Sequence, residues 1–323
     1  MKKILIIQTA FIGDVILATS LIETIVAAEP NAIIDFVLRK GNEGLLNAHP
    51  KLRKVIIWDK SNGKYKSLFA TAKEIRTEKY DLVINLQRYA SSGYLAWRAK
   101  AKFKTGFSQN PFSFSFSNKV KHQIGNGKHE IQRNFELIQP YFNSSLIGPR
   151  LYPSIKETEQ VSTLNCPVDY VTMAPSSVWF TKQLPVDKWL ELIQKTDPKS
   201  TVYLLGGPTD QTFLEEIKIK SQNSNVVNLA GKINLLASAL LMKGAKMNYV
   251  NDSGPLHLAS AMNAPVTAFF CSTVPEFGFG PLSEKSKIIQ TTEKLTCRPC
   301  GLHGFKVCPQ GHFKCGNNIS IQP

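Results

Sequence analysis

The sequence predicts an α/β protein of two tandem domains, each built on a parallel sheet. Short apolar segments alternate with amphipathic helical segments along nearly the whole chain, which is typical of parallel α/β layers. The length of 323 residues is enough for two domains of ordinary size. The alternation is lost over 143–168, where Pro, Ser and charged residues accumulate. We therefore predict domains at 1–150 and 169–323, joined by a linker at 151–168.

Both halves of the chain repeat the same order of elements. The strands expected in the first half are KILIIQ, AIIDFVL, KVIIWD and DLVINLQ. The helices expected there lie near 14–28, 65–77, 92–101 and 129–142. The strands expected in the second half are YVTMAP, TVYLLGG, NVVNLAG, AKMNYVN and PVTAFF, with helices such as 187–195 and 209–220. Open parallel sheets bind ligands beyond the carboxyl ends of their strands, so the loops after these strands are the candidate sites.

A further segment, PFSFSFS at 111–117, alternates strictly between phenylalanine and serine. Alternation with a period of two predicts a strand with a phenylalanine face. That face would pack in the core or at a sheet edge, or it would form an aromatic contact surface for a partner.

The composition describes a soluble globular protein, with 43% hydrophobic and 20% charged residues. The first 28 residues imitate a signal peptide, but Gln8, Asp14 and Glu23 interrupt the apolar run, and a strand followed by a helix explains all three. No stretch reaches the roughly 18 uncharged apolar residues of a membrane span. We expect a cytoplasmic protein.

The net charge of +15 is unevenly distributed. Residues 1–150 carry 23 Lys/Arg and 11 Asp/Glu, whereas residues 151–323 carry 16 and 13. A basic half indicates an anionic partner, which is a nucleic acid, an acidic membrane surface or a polyanionic substrate. A solubilising coat of lysines is the alternative interpretation.

The loop NDSGPLHLAS, which begins at Asn251, is the most informative candidate site. Pro255 suits the first position of a helix, so Asp252, Ser253 and Gly254 lie at the helix N-terminus. Free backbone N–H groups and the helix dipole favour an anion such as a diphosphate at that place, and His257 follows one turn later. The alternative is ordinary capping, because Asp and Ser are both preferred caps.

Two other loops of the second half offer polar side chains. APSSVWFTK contains the hydroxyls of Ser176 and Ser177 and the cation of Lys182, a suitable partner for a phosphate leaving group. LLGGPTDQ is a strand-to-helix turn that carries Asp210 in the first helical turn. Many such turns are purely architectural, and an isolated surface lysine often has no specific role.

Asp14 follows Gly13 shortly after the first strand, in FIGDVILATS. Its carboxylate is either a helix cap or a group directed into an active site. No G-x-G-x-x-G follows any predicted strand, which counts against a dinucleotide-dependent dehydrogenase. Walker A, G-x-S-x-G and D-x-D sequences are also missing, so the usual carboxylate pair of a metal-dependent sugar transferase is not present.

All six cysteines lie in the second half, and four of them form a tail pattern at Cys297, Cys300, Cys308 and Cys315. Four thiols suit a tetrahedral structural zinc, although the second pair is not C-x2-C. Reduced thiols and disulfides are the alternatives, and a cytoplasmic location disfavours disulfides. None of the three makes the tail catalytic.

Taken together, the motifs resemble the ADP-heptose:lipopolysaccharide heptosyltransferase family, glycosyltransferase family 9. FIGDVILATSLIETI resembles its N-terminal signature, NDSGPLHLASAMNAPVTAFF its nucleotide-site motif, WFTKQLPVDKW its lysine loop, and CRPCGLHGFKVCPQGHFKC the cysteine-rich tail of some members. The resemblance implies a GT-B architecture, with two facing Rossmann-like domains. It also implies an inverting, metal-independent heptose transfer from ADP-heptose to the lipopolysaccharide inner core, without a catalytic cofactor.

The resemblance also implies roles for individual residues. Asp14 would be the general base, Lys182 would assist the diphosphate, and Asp252 would contact the donor sugar, while Ser253, Gly254 and His257 would hold the diphosphate side. We also expect Ser176, Ser177 and Asp210 to bind the donor. An anionic core acceptor fits the basic half, where Gly13 would leave room for its sugar. The cations that we expect to contact the acceptor are Lys60, Lys64, Lys66, Arg88, Arg98 and Lys102. Peripheral contact with the cytoplasmic face of the inner membrane goes with such an acceptor.

Two other functions remain open from the residues alone. A sugar-nucleotide epimerase of the same fold would use the same diphosphate loop without an acceptor. A nucleic-acid-binding protein would use the basic half as its footprint and the cysteine tail as a zinc module. The basic residues are dispersed and no aromatic-rich binding signature accompanies them, so we expect no nucleic-acid partner.

Overall fold

The computed structural model describes residues 1–321 and divides the chain into two compact units. Unit 1 is Met1–Tyr152, and unit 2 begins at Pro153. Each unit contains one six-stranded sheet in which all strands pair in parallel. The α/β class that the sequence predicts is therefore correct.

Unit 1 has the strand order β3-β2-β1-β4-β5-β6, the order of a Rossmann sheet. Its strands are β1 (Lys3–Ile7), β2 (Ile33–Arg39), β3 (Lys54–Trp58), β4 (Lys79–Asn85), β5 (Lys100–Phe107) and β6 (Asn118–Val120). Its α-helices are α1 (Ile12–Ala28), α2 (Lys64–Arg76), α3 (Ala90–Arg98) and α4 (Glu130–Glu136). The central strand is apolar along its length because both faces of a parallel sheet are covered, and Ile4–Ile7 are completely buried.

Helix α1 is covered nearly all round, which explains why the sequence shows no polar stripe there. Residues 15–25 are all buried, including Thr19, Thr24 and Glu23. The Thr19 and Thr24 hydroxyls accept the backbone N–H groups of Arg150 and Ile147, at 3.0 Å each. Since residues 147–150 lie across α1 and Tyr152 donates to Glu23 at 2.9 Å, this irregular segment belongs to unit 1.

His49 lies beside the same buried carboxylate. Its Nδ1 accepts the backbone N–H of Lys51 at 3.3 Å, and its Nε2 lies 3.8 Å from Glu23 Oε1. Burial lowers the pKa of His49 from 6.5 to about 4, although Glu23 opposes the shift. His49 is therefore neutral in the folded protein at pH values where it is charged in the unfolded chain.

This shift predicts an acid-dependent loss of stability. Between pH 6.5 and 4 the unfolded chain binds a proton that the folded chain does not, so the free energy of unfolding falls as pH is lowered. The limiting slope for one such group is about 1.4 kcal/mol per pH unit. Urea denaturation of wild type and His49→Gln between pH 5 and 7 measures how the free energy of unfolding depends on pH. The variant His312→Gln, at an exposed position, is the control. Identical slopes in all three proteins would contradict the assignment.

Unit 2 has the strand order β12-β11-β10-β7-β8-β9, which is the same Rossmann order. Its strands are β7 (Tyr170–Ala174), β8 (Thr201–Leu204), β9 (Val226–Asn228), β10 (Met247–Asn251), β11 (Val266–Phe270) and β12 (Ser286–Gln290). Its helices are α5 (Ile155–Ser162), α6 (Val186–Lys195), α7 (Gln211–Ser221), α8 (Leu235–Gly244), α9 (Gly254–Ala261) and α10 (Lys314–Asn317). The core between sheet and helices includes Trp189, Leu192, Leu214 and Phe269.

The stretch that we predicted as a linker contains helix α5. Ser154 and Glu157 form a capping box, in which the Ser154 N–H donates to the Glu157 carboxylate at 2.8 Å. The same carboxylate accepts from Asn234 Nδ2 at 2.9 Å, which ties α5 to α8. Residues 155–162 are therefore a packed part of unit 2. The S-x-x-E capping signal was present in the sequence, but the helix is too short to show a convincing period.

The strand expected at PFSFSFS is wrong. Residues 113–115 form a 3₁₀ turn, in which Phe116 is buried, Phe112 is partly buried and Phe114 is exposed. The sequence reading also missed strands β5, β6 and β12. Strand β5 shows why, because Lys100 and Lys102 give it a polar face and leave too few apolar residues to signal a strand.

No helix within residues 1–321 combines the length and apolar character needed to cross a membrane.

Candidate functional site

The loop after β10 and the loop after β7 are joined by a buried ion pair. Lys182 Nζ lies 2.8 Å from Asp252 Oδ2, and the two side chains are 15% and 8% exposed. The Thr273 hydroxyl donates to the same carboxylate oxygen at 2.6 Å. Two residues that the sequence singled out separately are therefore in direct contact, and Thr273 is a third member that the sequence reading missed.

The end of β10 also fixes the backbone of the lysine loop. Asn251 Oδ1 accepts the N–H of Leu184 at 2.9 Å, and its Nδ2 donates to the carbonyl of Pro175 at 2.7 Å. These two contacts clamp the loop on either side of Lys182. An asparagine at a strand end signals a polar contact but not its partners, so only the structure assigns this role.

Helix α9 starts immediately after Asp252. Ser253 is its N-cap residue, with an extended φ of −156°, and Gly254 and Pro255 begin the helix. Within residues 1–321, the Ser253 side chain makes no capping hydrogen bond. His257 lies buried in the following turn. This helix start presents backbone N–H groups beside the Lys182 ammonium, which together favour an anion.

The other residues that we predicted on the donor side lie at the same edge of the sheet. Ser176 and Ser177 follow β7, and the buried Ser176 Oγ makes no hydrogen bond to the part of the chain that the structure describes. The Ser177 carbonyl accepts from Gln183 Nε2 at 2.7 Å. Asp210 follows β8, and its carboxylate accepts the N–H of Gly207 at 2.7 Å. That contact closes the Gly-Gly turn and gives Asp210 an architectural role.

The cysteine-rich tail packs directly against the lysine loop. Thr181 exchanges two hydrogen bonds with Phe305, one from each backbone N–H, at 3.1 and 2.8 Å. The Thr181 carbonyl also accepts the N–H of Ser272 at 3.2 Å. Gly304 has φ +77°, and a Cβ there would lie 2.8 Å from Thr181 Oγ1, so the tail approaches the loop too closely for a side chain. The tail therefore packs against the loop that carries Lys182 and helps to position that side chain.

Arg298 holds the loop that carries Thr273. Its guanidinium donates to the carbonyls of Cys271 at 2.6 Å, Phe270 at 3.2 Å and Thr273 at 2.7 Å. It also donates to Gln290 Oε1 at 2.7 Å. The planar guanidinium holds five N–H donors in a fixed fork, a geometry that the three donors of a lysine ammonium do not reproduce. Sequence reading missed this residue because a lone arginine in a cysteine-rich tail carries no signal.

Because of this geometry, Arg298→Lys is expected to lower the free energy of unfolding by about 3 kcal/mol, since a lysine leaves buried carbonyls without donors. It should also weaken nucleotide binding by loosening Thr273. Urea denaturation and calorimetry with ADP measure the two effects, and Arg150→Lys, at an exposed position, is the control. Unchanged stability and unchanged ADP affinity would refute the positioning role.

The tail cysteines are free thiols in the structure, as are Cys166 and Cys271. Burial raises the pKa of Cys315 to about 11 and also raises the pKa of Cys300. Within residues 1–321, no three His, Cys, Asp or Glu side chains are grouped so as to hold a metal ion. The zinc alternative stays a prediction, and a zinc measurement on the purified protein tests it.

In unit 1, Asp14 lies in the first turn of α1. The helix begins at Ile12 with Phe11 as N-cap residue, so Asp14 is two residues inside the helix and is not its N-cap. Gly13 precedes it in the same turn. A carboxylate in the first turn interacts favourably with the helix dipole, and the turn lies at the carboxyl end of β1.

A cluster of cationic side chains lies at the same edge of the sheet. Arg39 ends β2 and stacks 4.5 Å from the Phe11 ring, and Lys60 lies 4.3 Å from the Trp58 ring that ends β3. Burial lowers the pKa of Lys60, and repulsion from Arg39 and Lys64 lowers it further. Arg39 therefore joins the predicted Lys60 and Lys64, and sequence reading missed it.

Arg88 follows β4 at this edge, next to a polar bridge. Gln87 Nε2 donates to Gln8 Oε1 at 2.6 Å, and that oxygen also accepts the N–H of Ala10 at 3.2 Å. The bridge fixes the turn between β1 and α1. Asp14, Arg39, Lys60, Lys64 and Arg88 all follow or end strands of the sheet, and they lie at one edge of it because its strands are parallel.

Comparison with known proteins adds independent information. The model of the family described as glycosyltransferase family 9 (heptosyltransferase) matches residues 68–302. Lipooligosaccharide heptosyltransferase 2 of Haemophilus influenzae is 25% identical over 313 residues, which covers 90% of this chain and 89% of that protein.

Two solved structures share the fold. The family 9 glycosyl transferase of Veillonella parvula has a TM-score of 0.79 at 22% identity and covers 89% of this chain and 85% of its own. The ADP-heptose lps heptosyltransferase II of E. coli has a TM-score of 0.76 at 23% identity. The match covers 98% of this chain and 97% of that chain. The predicted GT-B fold class is confirmed. Because the family model spans most of the sequence, the chain belongs to glycosyltransferase family 9 (heptosyltransferase).

Proposed function

We propose that this protein is an inverting, metal-independent heptosyltransferase that moves a heptose from ADP-heptose to the inner core of lipopolysaccharide. The observation that carries the proposal is the Lys182–Asp252–Thr273 contact beside the start of α9. It combines a cation and free backbone N–H groups for a diphosphate with a carboxylate for sugar hydroxyls. The names of the relatives support the choice of heptose, ADP and lipopolysaccharide.

On the donor side, Lys182 and the start of α9 stabilise the negative charge that grows on the diphosphate as it leaves. Asp252 accepts hydrogen bonds from the donor sugar, while Ser253, Gly254 and His257 line the diphosphate. The buried hydroxyl of Ser176 has capacity to donate to the nucleotide. A fixed cation and a helix dipole supply the charge that a metal ion supplies in other transferases, so no cofactor is needed.

On the acceptor side, Asp14 is the general base. The acceptor hydroxyl gives its proton to the Asp14 carboxylate while its oxygen attacks the anomeric carbon, and the bond to the diphosphate breaks with its electron pair leaving on ADP. One displacement inverts the anomeric configuration. The dipole of α1 favours the ionised carboxylate, and the concerted step suits such a weak base because the hydroxyl becomes acidic only as the new bond forms.

The cations of unit 1 hold the anionic part of the acceptor. Arg39, Lys60 and Lys64 form a cluster whose members repel one another, so a bound phosphate or carboxylate relieves that repulsion. Gly13 leaves space beside Asp14 for the acceptor sugar, and Arg88 is a further contact. Because the inner core is carried on a lipid, the enzyme works at the cytoplasmic face of the inner membrane.

Incubation with ADP-heptose and heptose-deficient lipopolysaccharide tests the proposal. We expect ADP release coupled to heptose incorporation, persistence of activity in EDTA, and the opposite anomeric configuration in the product by NMR. Conversion of the nucleotide sugar without acceptor would establish an epimerase. Salt-sensitive nucleic-acid binding without turnover would establish the third alternative. Either result overturns the proposal.

A further inference from the structure

Unit 1 carries a continuous cluster of aromatic side chains, of which Tyr94 packs against the core and others are exposed. The rings of Phe69, Tyr94, Trp97, Phe112 and Phe114 form what we call the aromatic surface. Neighbouring ring centroids are 5.6 to 6.0 Å apart along the whole cluster. Phe69, Trp97 and Phe114 are 54%, 41% and 67% exposed. Exposed aromatic side chains in a contiguous group indicate an interaction surface.

The aromatic surface is bordered by cations. Lys66 and Lys73 are three residues before and four residues after Phe69 on α2, so they lie on the same side of the helix. The Arg98 guanidinium lies 5.6 Å from the Trp97 ring, and Lys104 donates to the Trp97 carbonyl at 2.8 Å. Aromatic rings next to lysine and arginine side chains are the combination found at membrane–water interfaces.

Acidic residues are scarce in this part of the chain. Residues 60–121 contain 13 Lys/Arg and three Asp/Glu. All three acids contact residues outside this stretch: Glu74 pairs with Lys54 at 2.7 Å, Glu78 with Arg53 at 3.1 Å, and Asp81 accepts the N–H of Lys3 at 2.8 Å. The stretch of chain that carries the aromatic surface therefore has a net charge of +10, out of +15 for the whole protein.

We infer that the aromatic surface and its cations dock the protein on an anionic phospholipid bilayer. Aromatic rings partition into the headgroup region, while lysine and arginine are attracted by anionic headgroups. A second copy of this chain fits less well, because a symmetric dimer through this surface would bring two strongly basic regions together. This docking builds on the proposed function, in which the protein works at a membrane, and it assigns the membrane contact to the aromatic surface and its cations.

Vesicle binding without donor or acceptor tests the inference, so its failure is separable from failure of the transfer reaction. The full chain is sedimented with phosphatidylcholine vesicles that contain or lack phosphatidylglycerol. We expect binding only to the anionic vesicles, weakening with salt. The variant Lys66→Gln/Lys73→Gln should bind about fivefold more weakly for each cation removed. Phe69→Ser/Phe114→Ser should also lose binding, without loss of folding, because both rings are exposed.

The matched control is Ile219→Ser/Lys220→Gln, which removes an exposed apolar side chain and an exposed cation from α7 in unit 2. It should bind as wild type does. Lipids with brominated chains should quench tryptophan fluorescence, and Trp97→Phe should lose most of that quenching. Equal binding to both vesicle types, or unchanged binding by the serine variant, would overturn the inference. Conversion of a dimer to a monomer by the serine variant, without vesicle binding, would assign the surface to a second copy.

Discussion

Asp14→Asn is expected to reduce kcat for heptose transfer by about 10³-fold while leaving the Kd for ADP-heptose within about twofold. The amide has the size of the carboxylate but does not accept a proton at neutral pH. The acceptor oxygen would therefore attack while it still carries its proton. Transfer assays and donor titration by calorimetry separate the chemical step from donor binding.

The control for this variant is Asp187→Asn. Asp187 lies exposed in the first turn of α6, in unit 2, so its replacement removes the same favourable interaction with a helix dipole. Asp187→Asn should lower the free energy of unfolding by about as little as Asp14→Asn does, and it should leave kcat unchanged. If Asp14→Asn instead abolished donor binding or unfolded the protein, Asp14 would be a structural or nucleotide-site residue, and the assignment as base would be wrong.

Asp252→Ala is expected to raise the Kd for ADP-heptose by roughly 10- to 100-fold, with a smaller effect on kcat. The variant removes hydrogen bonds to the donor sugar. It also leaves the nearly buried Lys182 ammonium without its carboxylate, which costs stability. Calorimetry with ADP-heptose and with ADP distinguishes the sugar contact, because ADP has no heptose and should be much less affected.

Thr273→Val provides the matched comparison, since it removes one hydrogen bond to Asp252 and retains both charges. Thr273→Val should also raise the Kd for ADP-heptose, but by less than Asp252→Ala does. A double-mutant cycle with Lys182→Met should show coupling, because Lys182 and Asp252 are in contact. An Asp252→Ala variant with normal donor affinity and a collapsed kcat would move Asp252 from donor binding to the chemical step.

Local sequence signals were sufficient where one short segment carries all the information. The start of α9 illustrates this, because a strand end, a capping sequence and a proline are adjacent in Asn251–Pro255. The boundary of unit 1 was harder. Residues 147–152 have no period of their own, and their place is fixed by hydrogen bonds to Thr19, Thr24 and Glu23 on α1, more than 120 residues earlier.

Among the residues of the candidate site, too, some are signalled by the local sequence and others only by long-range contacts. Lys182 and Asp252 stood out by type and position, but only the fold shows that they pair with each other, 70 residues apart in sequence. Arg298 and Thr273 had no signal because their roles depend on which carbonyls and carboxylates surround them. The aromatic surface is similar. The alternation in PFSFSFS predicted a strand, whereas Phe112 contacts two rings of α3 and Phe114 contacts Phe112, which defines an exposed cluster.

The sequence by itself determined the α/β class, the repeated strand-and-helix order, the basic first half and the family. Those properties depend on periodicity, on summed charge and on contiguous motifs. Tertiary structure alone decided which distant side chains meet: the Lys182–Asp252–Thr273 contact, the tail packed on the lysine loop, and the cations gathered at one sheet edge. Parallel strands bring loops from distant parts of the chain to one edge, and no local pattern records which of their side chains come into contact there.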